Sequence, residues 1–328
     1  MTVSRSDTPG PVWVLGAGSI GCFVGGCLRA AGAEVHFIGR PRVLSGLAAD
    51  GLRVSDLDGR DETLPSTALH LHEAPPTGAA PSLVLLCVKS PATAEAAALL
   101  QDAVPKGTPV VSLQNGVGNP AVARANAPAL RIVPGMVPFN VAQLGPGHFH
   151  RGTEGHVAVQ ADPAIEPWRA TFARAGLPLD VFADLAPVQW GKLLLNLNNP
   201  VNALSGLPLQ AQLLDRGHRH TLAALIEEAL GLLARARIEP ARMSPLPWRW
   251  MPTFLRLPTP VFRVAAARML RMDAKARSSM ADDVAQGRRT EVDALCGEFV
   301  RLAARLGTTA PRNAEMVRRI EALGHPGV

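Results

Sequence analysis

The chain has 328 residues, of which 47% are hydrophobic and 18% charged, enough for about two domains at roughly 100 to 200 residues each. This balance excludes a disordered, collagen-like or disulfide-scaffold chain. Lys plus Arg (33) exceeds Asp plus Glu (27) for a formal net charge of +6, but the cations are scattered rather than gathered in runs, which favours small anionic ligands over nucleic acid.

The first ten residues are polar and carry Pro9 and Gly10, without the apolar core of a secretory signal. Val12–Leu15 is a short apolar run followed at once by Gly16-Ala17-Gly18-Ser19-Ile20-Gly21, and a Gly- and Ala-rich amphipathic segment continues to Ala31. This reads as strand, tight turn, helix. The first glycine permits the turn, the second lets a pyrophosphate approach the backbone, and the third lets helix and strand pack closely, with the helix N-terminus facing the anion. A second strand, Val35-His36-Phe37-Ile38, arrives at the distance a dinucleotide-binding unit requires.

NAD sites place an acid at the end of that second strand, whereas this chain has Gly39-Arg40. The nearby acid, Glu34, lies at the strand's other end, over ~10 Å away at about 3.3 Å per residue. A guanidinium at Arg40 matches a 2′-phosphate, so the expected cofactor is NADPH. The competing reading of Arg40 is a plain surface charge.

Residues 83–88 form a continuous apolar run, as expected of a doubly buried parallel strand, and lead into Lys89-Ser90. Residues 110–113 repeat the pattern and end in Gln114-Asn115-Gly116-Val117-Gly118. Ligands of open α/β sheets bind outside the carboxyl ends of the strands, which puts Lys89 and Asn115 on the functional edge. A solvated lysine and an ordinary Asn-Gly turn are the alternatives. Further strands are expected over 132–141, 156–160 and 179–182, with a helix over 165–175. No segment repeats at a fixed period.

Residues 185–214 carry one charged side chain, Lys192. On a helix over 190–205, Asn196 and Asn199 fall within about 40° of Lys192, while Leu193, Leu194, Leu197 and Val201 occupy the opposite side. A surface helix usually carries several charges of both signs on its wet face. Amides and one ammonium look instead like a ligand site, where a partly desolvated lysine has a lowered pKa and can donate a proton near neutrality. Pro200 removes the hydrogen bond to the Asn196 carbonyl and is expected to kink the helix there.

The remainder reads as helical: residues 222–236, a proline-rich passage over 240–260, then helices to the end. Trp248 and Trp250 in that passage are read as packing residues, with a cleft or subunit contact as the alternative. Residues 222–234 are interrupted by Glu227 and Glu228 and are too short to cross a bilayer. Val292, Leu295, Phe299, Leu302 and Leu306 form a buried stripe with Glu291 on its margin and Asp293 toward solvent. Lys192 and Arg288 are the rival partners for Glu291. Ser278 and Ser279 precede Asp282 and Asp283 as in a capping box, so a helix cap competes with a ligand role for either serine.

Only Lys89, Lys106, Lys192 and Lys275 are lysines, and every other cation is an arginine. A lysine can lose its proton at accessible pH, so each retained one is a candidate for proton transfer. Cys22, Cys27, Cys87 and Cys296 are dispersed among apolar residues and read as buried thiols of a reducing compartment. The pairs His148/His150 and His218/His220 lack nearby Cys and read as solvated histidines, so no metal site is expected. The protein is expected to be cytoplasmic, with no membrane or nucleic-acid partner.

The GAGSIG turn, the LQNGVG segment, the WGKLLLN segment and SSMADDVAQGRRTE followed by an amphipathic helix resemble the ketopantoate reductase (2-dehydropantoate 2-reductase) family over nearly the whole chain after about residue 11. The resemblance implies an N-terminal α/β Rossmann-type doubly wound sheet over 11–184 and an all-α C-terminal domain over 185–328. It implies NADPH-dependent reduction of the 2-keto acid 2-dehydropantoate (ketopantoate) to pantoate, in pantothenate (vitamin B5) biosynthesis. The family's catalytic lysine falls on Lys192, and its carboxylate near the nicotinamide ribose and substrate hydroxyl falls on Glu291. Its cofactor contacts fall on Gly16, Ala17, Gly18, Ser19, Ile20, Gly21, Arg40, Lys89 and Asn115. Substrate contacts fall on Asn115, Lys192, Asn196 and Ser279. The family's second substrate asparagine, eight residues after the lysine, is replaced by Pro200, and Asn199 or Asn202 is the candidate to take its place. A homodimer, another branched 2-keto acid, an opine-type dehydrogenase and an NADPH-sensing binding protein are the remaining readings.

Overall fold

A computed structural model describes residues 9–78, 80–271 and 276–324. Lys275, one of the four lysines, and residues 1–8 lie outside the described residues. The chain divides into two compact units, Met1–Leu185 and Ala186–Val328.

In the first unit the elements run β1 (Val12–Leu15), α1 (Ser19–Ala30), β2 (Val35–Ile38), α2 (Pro41–Asp50), β3 (Leu52–Asp56), β4 (Asp61–Leu64) and β5 (His70–His72). They continue with β6 (Leu83–Leu86), α3 (Thr93–Ala103), β7 (Pro109–Ser112), α4 (Asn119–Asn126) and β8 (Arg131–Met136). The last are β9 (Val141–Gly145), β10 (His148–Arg151), β11 (Val157–Gln160), α5 (Arg169–Arg174) and β12 (Leu179–Phe182). Eight strands form one sheet in the order β12-β11-β8-β7-β6-β1-β2-β5. Neighbours from β5 to β8 are all parallel, and β11 joins β8 antiparallel. The order from β5 to β8 is that of a doubly wound dinucleotide fold, reversing between β1 and β6.

The apolar runs read from the sequence are the central strands, buried along their whole length in β1, β2 and β6. Both faces of a parallel sheet are covered, which is why these runs do not alternate. One face packs Val14, Phe23, Phe37, Leu85 and Trp168, and the other Trp13, Leu15, Leu86 and Leu100.

A second sheet, β4-β3-β10-β9, was not expected. It lies against α1, where a Cβ on Gly26 would stand 2.7 Å from the Val54 side chain. The strand expected over 132–141 therefore stops at Met136, and Val141 begins β9 in the other sheet. His148 and His150 are not solvated as read: both are half-buried on β10 and flank the Ser55 hydroxyl of β3, each with a ring nitrogen 2.8 Å from Oγ. Nearby, buried Arg151 pairs with Asp56 and Asp58, and Arg60 also faces Asp56. Cys22, Cys27 and Cys296 are buried free thiols and Cys87 is half-buried. Burial pushes Cys27 and Cys87 up to about 12.

The described elements of the second unit are helical: α6 (Ala186–Asn196), α7 (Asn198–Ser205), α8 (Leu209–Leu214), α9 (Arg216–Arg235), α10 (Met251–Leu255), α11 (Thr259–Ala265), α12 (Ser279–Ala285), α13 (Val292–Arg305) and α14 (Pro311–Gly324). The helix expected over 190–205 is interrupted at Leu197, where Pro200 supplies no N–H to the Asn196 carbonyl. Leu193, Leu194, Leu197 and Val201 are at most 2% exposed, as their projected face requires.

α9 begins at Arg216, earlier than the apolar run suggests, because Asp215 caps it by accepting the His218 N–H at 2.9 Å. His218 is half-buried and His220 exposed in that first turn. Arg219 is fully buried, donates to the carbonyls of Leu213, Leu214, Leu255 and Leu257, and stacks on Phe262. It thereby satisfies carbonyls at the ends of α8 and α10 that no helix N–H can reach. Trp248 packs inward and donates to the Ala241 carbonyl, whereas Trp250 is 52% exposed and is no core residue. No described helix is long and apolar enough to cross a membrane.

Candidate functional site

In the first unit the expected cofactor residues gather at the carboxyl ends of β1, β2, β6 and β7. The Ile38 carbonyl accepts from the N–H groups of Gly16 (2.9 Å) and Ala17 (3.3 Å), which ties the glycine turn to the end of β2. Gly39 follows, so close to the turn that a Cβ would stand 2.7 Å from the Ala17 side chain. The next residue, Arg40, is exposed and is the N-cap position of α2. Glu34, at the other end of β2, faces His36 Nε2 at 3.1 Å.

Gly16 has φ +108°, and a Cβ there would lie 2.5 Å from the Val88 nitrogen. The turn and the end of β6 are thus in contact through backbone, one residue before Lys89. A Cβ on Gly21 would strike the Gly16 carbonyl oxygen at 2.2 Å, so the third glycine is the close-packing one. A Cβ on exposed Gly18 would meet nothing within 4 Å. Open space therefore lies before the N-terminal turn of α1, whose first N–H groups have no helical acceptor. Ser19 and Ile20, in that turn, are half-buried. An anion such as a dinucleotide pyrophosphate would fit this turn.

A buried polar network beneath Lys89 and Asn115 escaped the sequence reading. Gln114 Nε2 donates to the Val88 carbonyl (3.0 Å) and Thr93 Oγ1 (2.6 Å), while Ser112 donates to Gln114 Oε1 at 2.9 Å. Asn119 Nδ2 donates to the Asn115 carbonyl and to Ser90 Oγ, and its Oδ1 lies 2.9 Å from Thr93 Oγ1. Thr93, Gln114 and Asn119 are each at most 6% exposed. A satisfied network of this kind rigidifies the loops it joins. Lys89 is exposed and Asn115 half-buried above it. The signal available in sequence was only the polar run after an apolar strand.

In the second unit Lys192 is half-buried on α6, one turn before half-buried Asn196. Burial lowers its pKa from the ordinary lysine value of 10.5 to about 8, and the Glu291 carboxylate opposes that shift by favouring the ammonium. Arg288, the rival partner for Glu291, donates instead to Asp283 at 2.9 Å. Glu291 is half-buried on the margin of the stripe, as projected, and is the N-cap position of α13, with φ −100° and ψ 21°. Asp293 is exposed and chelated by Arg301.

The two serines separate in role. Ser278 is the N-cap of α12, its Oγ accepting the Ala281 N–H at 3.1 Å, whereas Ser279 is exposed at the first helical position. Asn202 is fully buried, its Oδ1 accepting from the Ser278 N–H and its Nδ2 donating to the Leu207 carbonyl, both at 2.9 Å. A ligand cannot reach it, so of the two candidates only Asn199, half-buried on α7, stays accessible. Among the described residues no three His, Cys, Asp or Glu side chains form a group able to hold a metal ion.

Two family models, for ketopantoate reductase PanE/ApbA and for its C-terminal domain, match residues 12–163 and 184–324. A 2-dehydropantoate 2-reductase of Halobacterium salinarum is 32% identical over 302 residues, covering 89% of this chain and 91% of that protein. The crystal structure of a PanE/ApbA family ketopantoate reductase from Ralstonia eutropha has a TM-score of 0.80 at 29% identity, covering 96% of this chain and 98% of that one. A D-mandelate dehydrogenase solved with NADH and anilino(oxo)acetate has a TM-score of 0.79 at 18% identity over 96% of this chain and 98% of its own, a likeness of fold alone. With both matched segments together spanning most of its length, the chain belongs to the ketopantoate reductase family.

Proposed function

We propose that this protein is an NADPH-dependent reductase that converts 2-dehydropantoate to pantoate in the cytoplasm, a step of pantothenate biosynthesis. The observation that carries the reading is Lys192: a half-buried ammonium beside Glu291, poised near pH 8, on a helix face otherwise made of amides. Bound at the glycine cradle with its 2′-phosphate on Arg40, NADPH would supply a hydride to the carbonyl carbon of the keto acid. Lys89 and Asn115, on the same strand edge, would hold the cofactor.

Reduction of the carbonyl requires one proton on oxygen. Lys192 Nζ donates it, stabilising negative charge as it develops and leaving a neutral amine that solvent reprotonates. Glu291 keeps the ammonium charged and oriented. Asn196, Asn199 and Ser279 hold the keto acid through neutral hydrogen bonds.

The test is a spectrophotometric screen of 2-keto acids with NADPH and NADH, run on wild type and Lys192→Ala. Wild type should oxidise NADPH with ketopantoate. The variant should lose about 10²- to 10⁴-fold in kcat while its NADPH affinity stays close to wild type. Near-wild-type turnover in the purified variant would remove the mechanism, and no turnover of any 2-keto acid by wild type would remove the function.

A further inference from the structure

Asn202 has no accessible surface, yet it is bonded to the segment that carries one proposed substrate group and stands one turn from another. Its Oδ1 holds the Ser278 N–H, 76 residues away in sequence, and its Nδ2 holds the Leu207 carbonyl that follows α7. Ser278 in turn donates its hydroxyl to the Asn199 carbonyl at 3.2 Å while capping α12. The path from the Asn199 amide on α7 to the Ser279 hydroxyl on α12 therefore runs through two hydrogen bonds on Ser278, and Asn202 fixes that residue's backbone. Asn202 Oδ1, Asn202 Nδ2 and the Ser278 hydroxyl each make a hydrogen bond in the junction, and both residues are at most 6% exposed.

We propose that Asn202, acting through Ser278, is a positioning residue for the keto acid, setting the separation between the Asn199 amide and the Ser279 hydroxyl. This rests on the function proposed above. An amide is needed because one side chain must accept from an N–H and donate to a carbonyl at once. Alanine does neither, and a carboxylate cannot donate when ionised. The junction lies wholly within the second unit, so it bears on the keto acid and not on the glycine cradle.

The experiment measures kcat and both KM values for wild type, Asn202→Ala, Ser278→Ala and Ser278→Thr. Asn202→Ala should raise the KM for the keto acid about ten- to hundredfold, the scale of a misplacement near 1 Å, with the KM for NADPH within about twofold of wild type. Ser278→Ala should move the same parameter in the same direction, and Ser278→Thr, which keeps the hydroxyl, should restore it. A merely structural junction would lower Tm and leave the keto-acid KM alone, and that result in folded Asn202→Ala overturns the inference. Should Asn202→Ala fail to fold, the serine pair decides, and equal keto-acid KM values in its alanine and threonine forms overturn it. A wild type that reduces no 2-keto acid overturns the proposed function and this inference with it; a competent wild type with an unmoved variant overturns the inference alone.

Discussion

Burial and a nearby carboxylate pull Lys192 in opposite directions, and burial wins by bringing the ammonium from 10.5 to about 8. The protonated form is the donor for reduction, so kcat/KM for the keto acid should fall as pH rises through about 8. Glu291→Gln removes the group that favours the ammonium. The falling limb should therefore move to lower pH, and a pH–rate profile of the variant checks it. A limb that stays in place, or moves to higher pH, would detach Glu291 from Lys192. The same shift has a sign in stability. Between about 8 and 10.5 the unfolded chain binds more protons at this group than the folded one, so its contribution to stability rises with pH across that window. Below it both states are protonated and the full desolvation cost is present.

Arg40 owes its place to the junction of β2 and α2. Its backbone carbonyl accepts from the N–H groups of Val43 and Leu44, contacts that any side chain preserves. Arg40→Ala should therefore leave Tm unchanged, raise the KM for NADPH about ten- to hundredfold through loss of a charge-assisted contact, and leave NADH kinetics near wild type. Equal weakening toward both cofactors would contradict a 2′-phosphate role. This junction was legible because β1 and β2 are short, largely apolar and fully buried runs, each followed at once by a glycine, Gly16 and Gly39. The second sheet was not: three of the four residues of β4 are exposed, only Leu52 and Val54 mark β3 as buried, and its partner β10 follows 95 residues after Ser55. Pairing at that separation leaves no local pattern. Helical projection separated Lys192 and Asn196 from the buried leucines because α6 is regular, and it set half-buried Glu291 and exposed Asp293 on their sides of α13, but it could not show that Glu291 is the N-cap of that helix. Asn202 read as a spare substrate amide because sequence shows an amide's type and not its partners.

At the scale of the whole molecule, the chemistry proposed here is divided between two units that are each locally complete. The two buried clusters of the first unit draw on residues within 12–181 alone. Every hydrogen bond described at the glycine turn, the end of β2 and the Gln114 network is also made inside that unit. A fragment comprising residues 1–185 should therefore fold cooperatively and bind NADPH. At a hundredfold excess over Kd the ligand should contribute about 2.7 kcal/mol, which for a domain of this size raises Tm by roughly 5–10 °C. The fragment lacks Lys192, Asn196, Asn199, Ser279 and Glu291, so it should oxidise no NADPH with ketopantoate. Differential scanning calorimetry with and without NADPH, followed by the spectrophotometric assay, measures both parts. A folded fragment whose Tm ignores NADPH would show that the glycine cradle and Arg40 do not suffice to hold the cofactor. Turnover by the fragment would show that the proton comes from somewhere other than Lys192.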